Sequence, residues 1–225
     1  MRELLVLRPE PGAAATTARA IAAGWHVIAA PLFTIVAQDW EAPDPAGFDA
    51  LMLTSAQAVR HAGAALDLYR HLPVYAVGEA TGVAAIAAGF ADVRMGSADA
   101  ALLVTMMVRD GIGHPLHLAG REHRILDAAP IPITRRIVYA ADPVTELPAA
   151  ARAAIERHAI ALIHSERAGT VFADLLIKAG IDPETLHVAA ISGAAGAGAW
   201  GMVEIAEAPN DVALLAAAAR LCEKD

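Results

Sequence analysis

Small, polar and glycine-containing residues recur at the ends of short apolar runs in this sequence of 225 residues. Most of these turns precede a helical stretch, and the free N–H groups and dipole at a helix start bind carboxylates or phosphates. Serine, threonine and glycine are also ordinary caps and turn residues, and this alternative stays open at each position. The candidate binding residues are Arg8, Thr54, Ser55, Gly78, Glu79, Ala80, Thr81, Gly120, Arg121, Ser165, Arg167, Ser192, Gly193 and Ala194, with a further turn at Gly96 and Ser97.

The apolar runs alternate with alanine-rich helical stretches along the whole chain. Strands that are apolar throughout, each followed by a helix, indicate parallel sheets covered on both faces. In such sheets ligands bind beyond the carboxyl ends of the strands, where the candidate residues lie. The predicted strands are 4–8, 26–33, 50–54, 74–78, 93–96, 116–120, 137–141, 161–165, 188–193 and 203–206. The predicted helices are 13–23, 56–66, 81–88, 98–109, 149–158, 169–179 and 211–223.

An internal repeat indicates two similar α/β units. Residues 50–55 resemble residues 159–165, and each segment is followed by a helix, an apolar strand that ends in glycine, and an alanine- and leucine-rich helix. Ten strands also exceed the usual sheet of about five or six, which favours two sheets over one. Chance similarity between alanine-rich segments is the alternative explanation of the repeat.

The repeat predicts where the domains begin and end. Residues 35–44 and 136–142 are the predicted linkers. The two strands and one helix before them cannot bury themselves alone, so they must complete the C-terminal unit. We therefore predict a discontinuous domain of residues 1–35 plus 142–225 and an inserted domain of residues 40–136, joined by a two-stranded hinge.

Three other motifs do not indicate a functional site. The glycines of 193–198 lack the spacing of a dinucleotide fingerprint. The neighbours His164, Ser165 and Glu166 point to alternate faces of a strand and cannot form a triad among themselves. His114 and His117 also lie on opposite faces, and His123 falls in a loop, so we expect no metal site.

Composition excludes several classes of protein. Hydrophobic residues make up 56% of the chain and charged residues 19%, which excludes intrinsic disorder. A net charge of −8 and 4% aromatic residues argue against a nucleic-acid or anionic-membrane partner. The single cysteine, Cys222, excludes a disulfide framework.

Targeting and membrane segments are not expected either. The apolar run 4–7 is too short for a signal peptide, and the uncharged stretch 188–203 is shorter than the ~20 residues of a membrane span. That stretch fits a strand, a turn and a helix. We expect a cytoplasmic protein.

Six segments, taken in order, resemble one known family. They are residues 5–9 (LVLRP), 53–59 (LTSAQAV), 76–81 with 88–90 (AVGEAT and AGF), 118–121 (LAGR), 138–141 (VYAA) and the turn at Ser165. In this order they resemble uroporphyrinogen-III synthase. The resemblance implies two flavodoxin-like parallel-sheet domains joined by a two-stranded linker.

The resemblance also implies an activity. Linear hydroxymethylbilane would lose water and cyclise, with inversion of ring D, to uroporphyrinogen III, which makes the enzyme a hydro-lyase of tetrapyrrole biosynthesis. It implies a monomer with no cofactor and no metal. In the family, a tyrosine at the linker is the candidate donor to the departing hydroxyl. Here that residue is Tyr139, for which packing between the domains is the alternative role.

The substrate so implied carries eight carboxylates, whereas the chain has a net charge of −8. Binding must therefore come from local donors, such as helix-start N–H groups supplemented by Arg8, Arg121 and Arg167. The chain departs from the family after Gly193, where Ala194 and Ala195 replace the usual Ser/Thr pair and leave only main-chain donors.

Two other functions are alternatives. A non-catalytic two-domain binding protein for a small anionic ligand would share this architecture. A nucleotide-dependent oxidoreductase would need a dinucleotide fingerprint after the first strand, which residues 9–12 (PEPG) lack.

Overall fold

The computed structural model describes residues 2–96, 99–122 and 129–223, so Ser97 and His123 lie outside the described residues. The strands are β1 Glu3–Val6, β2 His26–Ala29, β3 Phe33–Ala37, β4 Ala50–Leu53, β5 Val74–Val77, β6 Val93–Gly96, β7 Pro115–Gly120, β8 Thr134–Pro143, β9 Ile160–Ile163, β10 His187–Ala190 and β11 Met202–Ile205. The α-helices are α1 Gly12–Ala22, α2 Ala56–His61, α3 Glu79–Ala87, α4 Ala100–Arg109, α5 Ala149–Glu156, α6 Glu166–Lys178 and α7 Asp211–Glu223.

The chain divides into two compact units. The discontinuous unit contains Met1–Thr34 and Pro143–Asp225, and the inserted unit contains Ile35–Asp142. The chain passes from one unit to the other within β3 and again at the end of β8, and these two strands are neighbours in one sheet.

The discontinuous unit contains a five-stranded sheet in the order β2-β1-β9-β10-β11, with every pair parallel. Counted along the chain, this is the flavodoxin-like order 2-1-3-4-5. The winding direction changes between β1 and β9. The carboxyl ends of these two strands are therefore the expected ligand position in this unit.

The inserted unit contains a six-stranded sheet in the order β6-β5-β4-β7-β8-β3. The five strands from β6 to β8 are parallel and doubly wound, with the change of direction between β4 and β7. The predicted α/β class, with two parallel sheets, is confirmed.

Burial explains why these strands form. The central strands β1, β4, β7 and β9 are apolar and almost wholly buried, as strands covered on both faces must be. Alternate residues of β4 enter two separate cores: Leu51 and Leu53 pack in one, and Ala50 and Met52 pack in the other. Among the described residues, no helix is long and apolar enough to cross a membrane.

Three predicted elements are wrong in detail. The single strand 26–33 is two strands, because the chain breaks around Pro31, which has no N–H to donate. The second of these strands, β3, extends into the predicted linker 35–44. The predicted helix 56–66 ends at His61, since Gly63 adopts φ +69° before a short 3-10 turn, Ala64–Tyr69.

One more predicted segment differs from the structure, after β10. The sequence predicts a strand, a turn and a helix over 188–203. The strand forms as β10, but only turns, and no helix, lie in the described residues between β10 and β11. Glycine is a poor helix former, and four glycines in this stretch limit it to local turns, such as the hydrogen bond from Gly196 N to Ser192 O at 3.0 Å.

Candidate active site

In the inserted unit, Thr54, which follows β4, contacts His117 of the neighbouring strand β7. His117 lies within β7 and is 1% exposed. Its Nε2 is 3.0 Å from the Thr54 hydroxyl oxygen, and Arg135 Nε donates to its Nδ1 at 3.2 Å. Sequence reasoning weighed His117 only as a metal ligand, although a histidine inside an otherwise apolar strand was a usable signal.

The position of the Tyr139 ring depends on the missing side chain of Gly120. At the end of β7 the register with β8 shifts, so that Gly120 lies opposite Tyr139. A Cβ atom on Gly120 would lie 2.6 Å from Tyr139 Cζ and 2.8 Å from its hydroxyl oxygen. The ring therefore occupies the space that a side chain on Gly120 would fill.

The rest of the tyrosine ring contacts the core of the inserted unit. It is half-buried and packs near the His61 ring, with a centroid distance of 6.4 Å. Among the described residues the Tyr139 hydroxyl has no hydrogen-bond partner. The hydroxyl is therefore available to a ligand at the carboxyl end of the sheet.

Arg121 differs from the expected anion donor. Its guanidinium forms ion pairs with Asp142 and with Glu122, and these carboxylates raise the pKa of Arg121. Its backbone N donates to Tyr139 O at 2.9 Å. Arg121 thus ties the end of β7 to β8, with its charge already offset by two acids.

The turn after β5 presents backbone rather than side-chain donors. Gly78 adopts φ +74° and begins α3, whose first residues Glu79 and Ala80 are exposed. Thr81 is only 4% exposed, so its side chain packs inward. Ser55 caps α2 by accepting from Gln57 N at 3.2 Å.

At the carboxyl end of the sheet in the discontinuous unit, a buried carboxylate contacts several polar side chains. Asp211, the first residue of α7, is 8% exposed. It accepts hydrogen bonds from Thr16 Oγ1 at 2.9 Å and from Arg19 Nη1 at 2.8 Å. Arg8, just after β1, donates from Nη1 to Asp211 and to Thr16, each at 3.4 Å.

His164 completes this group, which we call the Asp211 cluster: Arg8, Thr16, Arg19, His164 and Asp211. His164 Nε2 is 3.3 Å from Asp211 Oδ1. The contact with His164, followed by the Thr16 hydrogen bond and the Arg8 charge, lowers the pKa of Asp211 well below 3.8 despite its burial. The carboxylate stays ionised and holds the Arg8 guanidinium beyond β1.

Sequence reasoning missed Asp211. The hydrogen bond from Arg8 joins residues 203 positions apart, and no local pattern predicts such a pair. His164 was excluded from a triad with its neighbours, but its partner comes from another element.

The remaining predicted residues of this unit mainly have structural contacts. Ser165 caps α6 by accepting from Ala168 N at 3.1 Å, and the Arg167 guanidinium lies 4.8 Å from the Phe33 ring centroid. Ser192 accepts from Ala195 N at 3.3 Å. Gly193 and Ala194 are exposed in the turn after β10.

Comparison with models of protein families identifies one family. Residues 14–215 match the family model described as uroporphyrinogen-III synthase HemD. No curated protein sequence matches the chain.

Solved structures of uroporphyrinogen III synthase from Thermus thermophilus are also similar to this chain. A selenomethionine mutant of that enzyme has 18% identity and a TM-score of 0.46, covering 99% of this chain and 100% of that one. The wild-type enzyme has 17% identity and a TM-score of 0.44, covering 99% and 98%. Because the family model matches most of its length, the chain belongs to the uroporphyrinogen-III synthase family, whose members are lyases of tetrapyrrole biosynthesis.

Proposed function

We propose that this chain converts hydroxymethylbilane to uroporphyrinogen III, with Tyr139 as the proton donor. The assignment of Tyr139 rests on one observation. Its hydroxyl lies over Gly120 and has no hydrogen-bond partner among the described residues. A phenol is protonated at neutral pH and can donate to a departing hydroxyl. This placement supports a general acid at the carboxyl end of the inserted sheet.

The step balances without a cofactor. The phenol proton joins the departing hydroxyl, the C–O bond breaks, and water leaves behind an azafulvene cation. The substituted α-carbon of ring D attacks this cation and forms a spiro centre. The older bond from that carbon to its neighbouring methylene then breaks, which inverts ring D and leaves a second azafulvene cation. The free α-carbon of ring D attacks this second cation and closes the ring. The proton that this carbon loses returns to the phenolate, so the net change is the loss of one water.

Binding the substrate requires local positive potential, because the chain as a whole carries a charge of −8. The Asp211 cluster supports this role, since it sets two arginines against one carboxylate and so has a net positive charge. The Arg8 and Arg19 side chains stay partly exposed, and their guanidinium groups can bind substrate carboxylates. The N–H groups of Glu79 and Ala80 add donors in the inserted unit.

Positioning then accounts for much of the rate. Well-oriented intramolecular reactions reach effective molarities of roughly 10⁵–10⁸ M, so holding the ends of a flexible chain together is a large contribution. The side chains need to supply only carboxylate contacts and one weak acid.

We also propose that the protein acts as a cytoplasmic monomer with no nucleic-acid partner. Its single cysteine and acidic net charge fit this proposal. Light scattering should give a mass near the chain mass of 23.3 kDa.

The test of the function is the isomer formed from freshly prepared hydroxymethylbilane. Type III product above a no-protein control supports the synthase. Type I product alone, formed by spontaneous closure, would contradict it and leave a non-catalytic binding protein as the explanation.

A further inference from the structure

His117 has no role in the proposed proton transfer, yet it is almost wholly buried and contacts Thr54. A buried imidazole is costly unless its nitrogens are hydrogen-bonded. Both nitrogens of His117 have partners: Arg135 Nε lies 3.2 Å from Nδ1 and Thr54 Oγ1 lies 3.0 Å from Nε2. These three residues come from β8, β7 and the end of β4.

The identity of the first partner fixes the proton on the ring. A guanidinium can only donate hydrogen bonds, so His117 Nδ1 must accept from Arg135 and carries no proton. The neutral ring therefore carries its proton on Nε2. That proton is donated to the Thr54 hydroxyl oxygen.

The same reasoning fixes the direction of the threonine hydroxyl. Since Thr54 Oγ1 accepts from His117, its own proton points away from the imidazole. Thr54 directly follows β4, is half-buried, and lies where the sheet changes winding direction. The available proton is therefore presented at the edge where ligands bind in such sheets.

We propose that His117 is a positioning residue that sets the Thr54 hydroxyl as a hydrogen-bond donor to a substrate carboxylate. Arg135 acts one step further back, because it selects the tautomer of His117. This inference rests on the proposed function for the identity of the ligand, whereas the proton arrangement rests on geometry alone.

The proton arrangement can be measured without activity. Long-range ¹H–¹⁵N correlation spectra of the histidine rings at pH 7 should show His117 protonated at Nε2 and unprotonated at Nδ1, with His117→Gln identifying the signal. The Arg135→Met variant should lose this single tautomer. A proton on Nδ1, or an imidazolium, in the wild-type protein would overturn the proposal.

The functional part is tested by a double-mutant cycle on the KM for hydroxymethylbilane. A neutral donor lost from a carboxylate weakens binding about tenfold, so Thr54→Val should raise KM by about that factor with kcat nearly unchanged. His117→Met should do the same, and the double variant should be no worse than either single one. Thr54→Ser, which keeps the hydroxyl, and His117→Gln, which keeps a donor near Nε2, should retain KM.

Losses that multiply in the double variant would show that His117 is merely structural and would overturn the proposal. If His117→Met does not fold, Arg135→Met takes its place in the cycle with the same expected coupling. Wild-type formation of type III product is measured first. A failure of the proposed function appears in that control, whereas a failure of the His117 role appears only among the variants.

Discussion

The carboxyl ends of the two sheets carry different kinds of functional group. At the carboxyl end of the discontinuous sheet, a buried carboxylate holds two arginines. At the carboxyl end of the inserted sheet, the groups are a threonine hydroxyl on an imidazole and a phenol over a glycine. Arg121, a cation at the second edge, is already paired with two acids.

This difference assigns different tasks to the two edges. A cluster with net positive charge in an acidic chain attracts carboxylates. Neutral hydroxyl groups add directional donors and, in Tyr139, a transferable proton. We therefore assign anion binding mainly to the discontinuous unit and proton donation to the inserted unit, and variants in the two units should fail in different ways.

The largest expected effect is at Tyr139. Removing the hydroxyl in Tyr139→Phe should lower kcat by roughly tenfold or more, because a general acid contributes at least that factor. The ring still fills the space over Gly120, so the melting temperature should stay close to that of the wild type. Unchanged turnover would remove Tyr139 from the mechanism.

The matching change in the other unit is Arg8→Gln. It should raise KM about tenfold, the size expected for a charge-assisted hydrogen bond, with a small effect on kcat. Arg70→Gln is the control, because Arg70 is exposed and pairs with nearby Asp67. An equal change in KM in both variants would mean that total charge, not the Arg8 position, matters.

A smaller effect is expected at Gly120. In Gly120→Ala the added Cβ would meet the Tyr139 ring at 2.6 Å and displace the phenol, so kcat should fall several-fold. Gly113→Ala is the matched control, since its Cβ would make only an ordinary 3.7 Å contact with Asp49. Wild-type kcat in Gly120→Ala would show that the ring position is not critical.

The smallest effect concerns stability and pH. Asp211→Asn should lower the free energy of unfolding by about 2 kcal/mol at pH 7, because Arg8 and Arg19 lose their charged partner. Because folding lowers the pKa of Asp211, this contribution is present above the ordinary pKa of 3.8 and is lost as pH falls below it. Urea unfolding should therefore show the gap from wild type shrinking between about pH 5 and pH 3.

The exposed Asp67→Asn serves as control for that experiment and should cost less than about 1 kcal/mol. A gap for Asp211→Asn that grows on acidification would contradict the assigned direction of the pKa shift.

Much of the architecture could be predicted because central parallel strands are apolar throughout. Strands β4 and β9 are examples, since every residue in them is buried. Strand β3 was missed because it is an edge strand with one buried residue in five, and its pattern resembles a linker. Glycine conformations such as that of Gly63 likewise end a helix that propensity alone would continue.

The candidate site was predictable only in part. Tyr139 lies within β8, whereas Arg8 and Thr54 follow strands, and topology alone places these last two residues at a sheet edge. Their partners Asp211 and His117 are 203 and 63 positions away, so nothing local in the sequence joins them. The serines at the repeated strand ends, Ser55 and Ser165, both accept from helix N–H groups as caps.

The division of tasks between the two edges can be tested by measuring the rate of type III isomer formation against hydroxymethylbilane concentration. Arg8→Gln should reach wild-type turnover at saturating substrate, whereas Tyr139→Phe should stay slow at every concentration. A Tyr139→Phe variant that saturating substrate restores, or an Arg8→Gln variant that it does not, would contradict the assignment.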